Sequence, residues 1–181
     1  MLLSQRRRKP KVKTLHELQV EDFMPERMAL ELKGSERPLA PNADLRVEVN
    51  GRFLYGAPAT GSTVQGQLYV RPLREAVASL PGYLFGSVTE KLPSESLDFK
   101  EQLTDEQGQA SLHLGSQWNE TRSPLELIAR VSLLESGGRS VTRRLTQAVW
   151  PADQLPGILP QFANGQVERD SLAAFRLVLA D

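Results

Sequence analysis

The side chains of this chain that could carry out chemistry are few and far apart. His16 lies beside a run of basic residues, and His113 lies between Leu112 and Leu114, on the polar side of an alternating segment. Neither histidine shows the spacing that the ligands of a zinc site or the members of a catalytic triad have. We therefore expect both to be surface histidines.

Acidic and nucleophilic residues do not suggest a reactive group either. Asp105 and Glu106 are adjacent, but neighbouring residues on a turn point in different directions, and a turn explains the pair without catalysis. The chain has no cysteine, which excludes disulfides, thiolate metal sites and cysteine nucleophiles. The glycines between residues 51 and 66 lead from a strand into another strand, which is not the pattern of a phosphate-binding loop. The sequence therefore predicts no enzyme, with no catalytic, cofactor-binding or metal-binding residue.

Two further features have a structural interpretation and a functional alternative. Residues 119–121 (Asn-Glu-Thr) match the N-glycosylation acceptor pattern, which often occurs by chance, and we interpret them as a polar loop before a strand that starts near Pro124. Trp150 is followed by Pro151, and together they close a predicted strand. We expect Trp150 to pack at the junction with the next structural unit; a role in a binding site is the alternative.

Length and composition are those of a globular chain. With 181 residues, it can form one good hydrophobic core, or one domain with parts of its neighbours. Hydrophobic residues make up 40%, and no run approaches the ~20 apolar residues of a membrane-spanning helix, so we expect the chain as given to be soluble. The first residues lack the apolar segment and the cleavage site of a secretory signal, so we expect no such signal within this chain.

Positive charge is concentrated at the N-terminus. The chain has 22 basic and 22 acidic residues, but six of the basic ones lie within the first sixteen residues, where there is no acid. Such a run can bind nucleic acid or an anionic membrane. Because it has no apolar periodicity, we interpret residues 1–14 as a disordered tail or as residues added for expression. The remainder is acidic, with a net charge of about −6, which argues against a nucleic-acid partner.

Alternating apolar residues predict strands along most of the remaining chain. The alternating sets are Met28, Leu30 and Leu32; Leu45, Val47 and Val49; Val64, Leu68 and Val70; and Ala110, Leu112 and Leu114. The clearest prediction is a hairpin: one strand covers residues 125–133, the sequence Ser-Gly-Gly-Arg at 136–139 makes the turn, and a second strand covers residues 141–149.

One segment, residues 72–80, predicts a short helix. Pro72 suits the first position of a helix, the following residues have helical propensity, and Pro81 with Gly82 would end the helix after about two turns. Several short strands with turn signals between them, together with 13 glycines and 12 prolines, indicate that the fold as a whole is all-β, an antiparallel β-sandwich.

Residues 49–70 (VNGRFLYGAPATGSTVQGQLYV) are the most informative stretch, two strands joined by a loop that Gly56 and Pro58 shape. Further informative segments are residues 20–28 (VEDFMPERM), 82–86 (GYLFG), 104–110 (TDEQGQA), 156–162 (PGILPQF) and 171–175 (SLAAF). In this order, the segments resemble the bacterial alpha-2-macroglobulins. The resemblance covers about residues 18–181.

The resemblance implies a macroglobulin-like, immunoglobulin-like sandwich of about seven antiparallel strands. It also implies a protease inhibitor of the bacterial cell envelope, in which a bait segment elsewhere is cut and a row of such domains rearranges to hold the protease. The implied location is the periplasm, with an inner-membrane anchor through the N-terminus of the full-length protein. The implied partners are neighbouring macroglobulin-like domains of the same chain, host or competitor proteases, and a peptidoglycan synthase.

Within such a protein we expect this chain to be a structural and interface domain without inhibitory activity of its own. Trapping members of the family carry a thioester made by the Cys and Gln of a Cys-X-Glu-Gln motif, and this chain has no such motif. The alternative is a sandwich binding module that docks a cell-envelope partner through loops such as residues 55–63. An exposed apolar patch on this loop would favour docking, and burial of the loop against a neighbouring domain would favour the structural role.

The resemblance and the strand pattern together divide the chain into four segments. Residues 1–14 are the basic tail, and residues 15–23 are a linker or the last strand of a preceding domain. Residues 24–151 are the macroglobulin-like domain, and residues 152–181 are the start of the next such domain, incomplete.

The last segment should not be stable alone, because one or two strands cannot bury their apolar face. It is therefore expected to be disordered or to pair with an open strand edge. We expect mostly disorder for residues 152–170, and residues 172–179 are the part best able to find a surface.

Overall fold

The computed structural model describes residues 26–90, 96–116, 118–162 and 166–181, and these residues form ten β-strands and no helix. The strands are β1 (Met28–Lys33), β2 (Arg46–Phe53), β3 (Thr63–Pro72), β4 (Leu84–Phe85), β5 (Ser96–Leu103), β6 (Gln109–His113), β7 (Leu125–Leu134), β8 (Ser140–Val149), β9 (Leu155–Pro160) and β10 (Phe175–Ala180). In this part of the chain, then, no helix could cross a membrane. The tail and linker predicted for residues 1–23 lie outside the described residues.

Seven of the strands form two antiparallel sheets. One sheet has the strand order β1-β2-β6, and the other has the order β5-β3-β7-β8. Both sheets contribute to one cluster of buried apolar side chains that lies between them. The predicted all-β, antiparallel sandwich of about seven strands is confirmed.

The core follows the period of two that strand geometry imposes. In β7, Leu125, Leu127, Ala129, Val131 and Leu133 are fully buried, and the residues between them are accessible. β1, β2 and β6 of the opposite sheet contribute buried residues in the same alternating way. β7 and β8 pair along ten residues and are joined through the glycine turn, so the predicted hairpin is confirmed.

The connection between β2 and β3 crosses from one sheet to the other and is held in place. The Thr104 hydroxyl donates to the Ala59 carbonyl and accepts from the Ser62 N–H at 2.9 Å. The Ala59 N–H donates to the Gly51 carbonyl of β2 at 3.0 Å. Gly108 has a φ of +75°, and an added Cβ would lie 2.3 Å from the Gly51 oxygen, so only glycine fits there. Most of this connection is therefore fixed to the sandwich.

The short helix predicted for residues 72–80 is wrong. β3 continues through Pro72, which pairs with the first residue of β7, and the Leu73 N–H donates to the Pro124 carbonyl at 2.9 Å. The pairing of β3 with β7 outweighs the helical propensity of these residues, because a helix of only two turns is weakly stable by itself. The residues that follow form turns that lead to β4.

A third, smaller sheet has the order β10-β9-β4. β9 and β10 pair along six residues, and β9 also pairs with Leu84 and Phe85 of β4. The disorder expected for residues 152–170 is therefore not found at Leu155–Pro160. β9 has a second strand partner because the preceding sandwich supplies β4. No local sequence signal indicated that β4 would pair there. The predicted domain boundaries remain predictions.

Gly66 marks a close approach between strands of the larger sheet, at a shift of register between β3 and β5. An added Cβ would lie 1.9 Å from the Arg130 carbonyl oxygen and 2.5 Å from the Phe99 ring. We expect Gly66→Ala to lower the free energy of unfolding by about 1–3 kcal/mol, because the strands must move apart. Urea denaturation monitored by tryptophan fluorescence measures this change.

Gly137→Ala is the matched control for this measurement. An added Cβ at Gly137 meets no atom within 4 Å, so the substitution should change the free energy of unfolding by less than about 0.5 kcal/mol. Equal effects of the two substitutions would contradict a steric requirement for glycine at position 66.

Candidate functional site

Of the residues considered for catalysis or metal binding, Asp105 has a structural role. His113 is exposed on β6, as predicted, and His16 lies outside the described residues. The Asp105 carboxylate accepts hydrogen bonds from the N–H groups of Gln107 and Gln109, at 2.9 and 2.8 Å, and so closes the turn between β5 and β6. In the described part of the chain, no group of three or more His, Cys, Asp or Glu residues could hold a metal ion.

Residues 119–121 form the polar turn that was predicted, and Glu90 fixes it to a second loop. The Thr121 hydroxyl donates to the Ser123 carbonyl at 2.8 Å, and the Arg122 N–H donates to the Glu90 carboxylate at 2.8 Å. Burial would raise the pKa of Glu90, but the hydrogen bonds from Arg122, Ser123 and Thr121 together outweigh it and lower the pKa. Glu90 is therefore held as an anion that joins the two loops.

One exposed surface, with apolar residues flanked by charged ones, lies beside the first described residues. Leu54 and Tyr55 are 66% and 79% exposed, and the Tyr55 ring stacks on Phe53 with the ring centroids 5.2 Å apart. The Leu54 N–H donates to the Arg27 carbonyl at 2.8 Å, which fixes this surface next to the incoming chain. A concavity of about 520 Å³, which we call the N-terminal surface, is lined by Glu26, Arg27, Phe53, Leu54, Tyr55 and Glu135.

A second exposed apolar surface is the outer face of the small sheet. Alternation along β10 places Phe175, Leu177 and Leu179 on this face, with exposed fractions of 47%, 79% and 61%. Ile158 of β9 pairs with both Leu177 and Leu84, so all three strands contribute to a continuous row. We call these five residues the C-terminal surface.

The inner face of the same sheet is buried. Phe85, Leu155 and Ala180 form a second buried cluster, and Trp150 packs against it. Trp150 therefore contacts this cluster, and its packing at a junction between two domains stays a prediction. Sequence reasoning missed Phe85, for which the only signal was its place between two turn glycines in the segment GYLFG.

The two surfaces lie near opposite ends of β8. The Arg143 guanidinium donates to both carboxylate oxygens of Glu26, at 3.0 and 2.8 Å, so the chain arrives near the start of β8. This hydrogen bonding lowers the pKa of Glu26. β8 ends at Val149, and the chain continues from there into the small sheet. At ~3.4 Å per residue, the ten residues of β8 span roughly 30 Å, so the sandwich separates the two surfaces.

Comparison with known proteins gives one consistent family. Residues 26–151 match the family model described as "Bacterial Alpha-2-macroglobulin MG5 domain". The alpha-2-macroglobulin of Escherichia coli K12 is 51% identical over 176 residues, which are 90% of this chain and 11% of that protein.

Solved structures of alpha-2-macroglobulins share the fold. Escherichia coli alpha-2-macroglobulin activated by porcine elastase matches with a TM-score of 0.81 at 54% identity, over 88% of this chain and 14% of that chain. Salmonella alpha-2-macroglobulin reacted with methylamine matches with a TM-score of 0.75 at 50% identity, over 89% of this chain and 11% of that chain.

This chain therefore spans only about a tenth of the length of these relatives. The resemblance predicted from the sequence motifs is confirmed by the family model, by the identity and by the shared fold. The chain belongs to the bacterial alpha-2-macroglobulin family, and its residues 26–151 correspond to the MG5 domain of that family.

Proposed function

We propose that this chain is a structural and interface element of a bacterial alpha-2-macroglobulin that inhibits proteases in the cell envelope. The observation that carries the proposal is the position of two exposed apolar surfaces near opposite ends of one sandwich. Contiguous exposed apolar surfaces are typical of contacts with other domains or proteins. The domain therefore sets the distance and the angle between its two neighbours.

The N-terminal surface suits a preceding domain. It lies beside Glu26 and Arg27, where the chain arrives, so a preceding domain has to lie close to it. The stacked rings of Phe53 and Tyr55 offer a rigid apolar contact that loses little side-chain entropy on packing. The much greater length of the relatives supports the existence of such a neighbour.

The C-terminal surface suits strands that follow Asp181 in the full-length protein. A sheet that is apolar on both faces needs a layer on each of them. In the described residues the inner face is covered by Phe85 and its neighbours, and the outer face is open. We therefore expect the outer face to be buried by further strands of a following sandwich domain.

Protease inhibition belongs to the whole protein in this proposal. A bait segment outside this chain is cut by a host or competitor protease, and the row of sandwich domains rearranges and holds the protease. A rigid domain contributes by moving as one body and by passing the movement of one neighbour to the other. The fixed connection between β2 and β3 and the long β7–β8 hairpin suit that role.

The proposed location of the full-length protein is the periplasm, with an anchor in the inner membrane through its N-terminus. The proposed partners are the neighbouring macroglobulin-like domains, the captured protease, and a peptidoglycan synthase. The family resemblance supports the proposed location and partners. Of these partners, this chain would contact the neighbouring domains.

The isolated chain is expected not to inhibit proteases, because the bait segment lies outside it. The measurement is hydrolysis of a large protein substrate by trypsin in the presence of a molar excess of the chain. The full-length protein is the positive control and should slow the hydrolysis. A stoichiometric loss of trypsin activity with the isolated chain would mean that inhibition resides in these residues.

The isolated chain is also expected to self-associate weakly through its C-terminal surface, which the described residues leave exposed. Leu177→Lys should raise the dissociation constant of this association at least about tenfold, or about 1.4 kcal/mol, because a charge would have to be buried. Leu103→Lys, at a residue that is 66% exposed on β5, is the control and should have little effect. Sedimentation equilibrium measures both, and equal effects of the two substitutions would contradict the assignment.

The alternative function, a binding module for a cell-envelope partner, is favoured by the exposure of Tyr55. The loop of residues 55–63 is not exposed throughout, however, because Ala59 and Ser62 are buried. Recognition would therefore have to use its first residues together with Leu54. In the structural role this tip is covered by the preceding domain, whereas in the binding role it stays open in the full-length protein.

Oxidative footprinting with hydroxyl radicals distinguishes the two roles. We expect the modification rate of Tyr55 to be several-fold lower in the full-length protein than in the isolated chain, because the preceding domain covers the ring. Mass spectrometry of the peptide that contains Tyr55 provides the rate. An equal rate in both proteins would favour the binding module instead.

A further inference from the structure

Residues 73–90 form an arm that leaves the larger sheet at the end of β3. Its residues 73–83 form turns, β4 follows, and Glu90 is the last residue described before β5. The arm contributes no residue to the main buried cluster of the sandwich. Its packing partners therefore have to be found elsewhere.

Both ends of the arm are fixed to the loop that precedes β7. At its start, the Leu73 N–H donates to the Pro124 carbonyl at 2.9 Å. At its end, the Ser87 N–H donates to the Ser123 hydroxyl oxygen at 2.8 Å, and Glu90 accepts from the Arg122 N–H. These hydrogen bonds attach the arm to the sandwich domain.

The middle of the arm packs against the segment that follows Trp150. Phe85 is completely buried, and its buried partners are Leu155 and Ala180, at the start of β9 and the end of β10. The other apolar residues of the arm that pack against this cluster are Ala76, Val77, Leu80 and Tyr83. Counting Trp150, six of the nine residues of this second core therefore come from the sandwich domain, and three (Leu155, Val178 and Ala180) come from the C-terminal hairpin.

The arm and β9 fit each other in shape, and both sides of the contact are apolar. Phe85 pairs with Gly157, and an added Cβ at Gly157 would lie 2.5 Å from the Phe85 ring and 2.9 Å from Val178. The ring therefore lies directly on the β9 backbone, in a space that exists only because residue 157 is glycine. The Phe85 N–H donates to the Arg74 carbonyl at 2.8 Å, which holds β4 at this position.

The C-terminal hairpin depends on this contact. A two-stranded hairpin alone is only marginally stable in water, and it needs a third strand or another packed layer. The arm supplies both, because β4 extends the sheet and Phe85 covers its inner face.

We propose that the arm is the docking surface for the following β-sandwich domain of the same protein, which uses β4 as one of its own strands and the apolar arm residues as part of its core. The existence of that following domain rests on the proposed function. The two domains then share one core across their boundary, and the arm, rather than the short connection after Trp150, fixes the orientation of the second domain.

Hydrogen exchange measured by mass spectrometry on this chain tests the proposal. Phe85→Ala is expected to speed amide exchange in β9 and β10 by at least about tenfold and to leave exchange in β7 within about twofold of the original, because only the second core is lost. Val88→Ala is the matched control: this residue of the arm is 84% exposed and lies outside both buried clusters and both surfaces, so exchange in β9 and β10 should change by less than about twofold.

Gly157→Val alters the same contact from the β9 side. It provides the test if the Phe85→Ala variant does not fold. It should displace the ring and produce the same selective loss of protection. Unchanged exchange in β9 and β10 would overturn the proposal, and so would an equal loss in β7, which would assign Phe85 to the main core. The measurement needs no protease, so it can fail or succeed independently of the inhibition assay.

Discussion

The complete burial of one face of β7 constrains the rest of the fold. This strand pairs with β3 on one side and β8 on the other, and its five inward side chains are inaccessible. A slip of either pairing by one residue would turn that face to solvent, so the register is strongly fixed. The opposite sheet has to cover the same face, which fixes where the β2–β3 connection crosses. The ends of β8, and with them the two exposed apolar surfaces, take their positions from this arrangement.

The elements that could be predicted from the sequence are those whose signal is local. Alternation identified β1, β2, β7 and β8, and the glycines at 137 and 138 identified the turn of the hairpin. The arm could not be predicted, because Pro72 pairs within a sheet and because the two residues of β4 find their partner only after β8. The exposure of Leu54 and Tyr55 could not be predicted from the local sequence either, because it depends on where the chain enters the sandwich.

Side chains with chemical potential, such as Asp105 and Glu90, are engaged in closing turns and joining loops. Their hydrogen bonds fix the turn between β5 and β6 and the loop before β7. Under the proposed function, the domain contributes to the full-length protein through its shape, and the substitutions with the largest effect should be those that change that shape.

The place of Phe85 bears on how such domains can be recombined. In a chimaera of two such proteins, a junction at Pro151 coincides with the end of the matched family model. Phe85 would then come from one parent, and Leu155 and Ala180 from the other. Two parents whose arm and hairpin are not matched, for example through a side chain at position 157, would produce a hybrid with a clash or a void at the junction. The contact of Phe85 with the hairpin is therefore kept only when the sandwich and the C-terminal hairpin come from the same parent, and the boundary seen in sequence divides a single packed core.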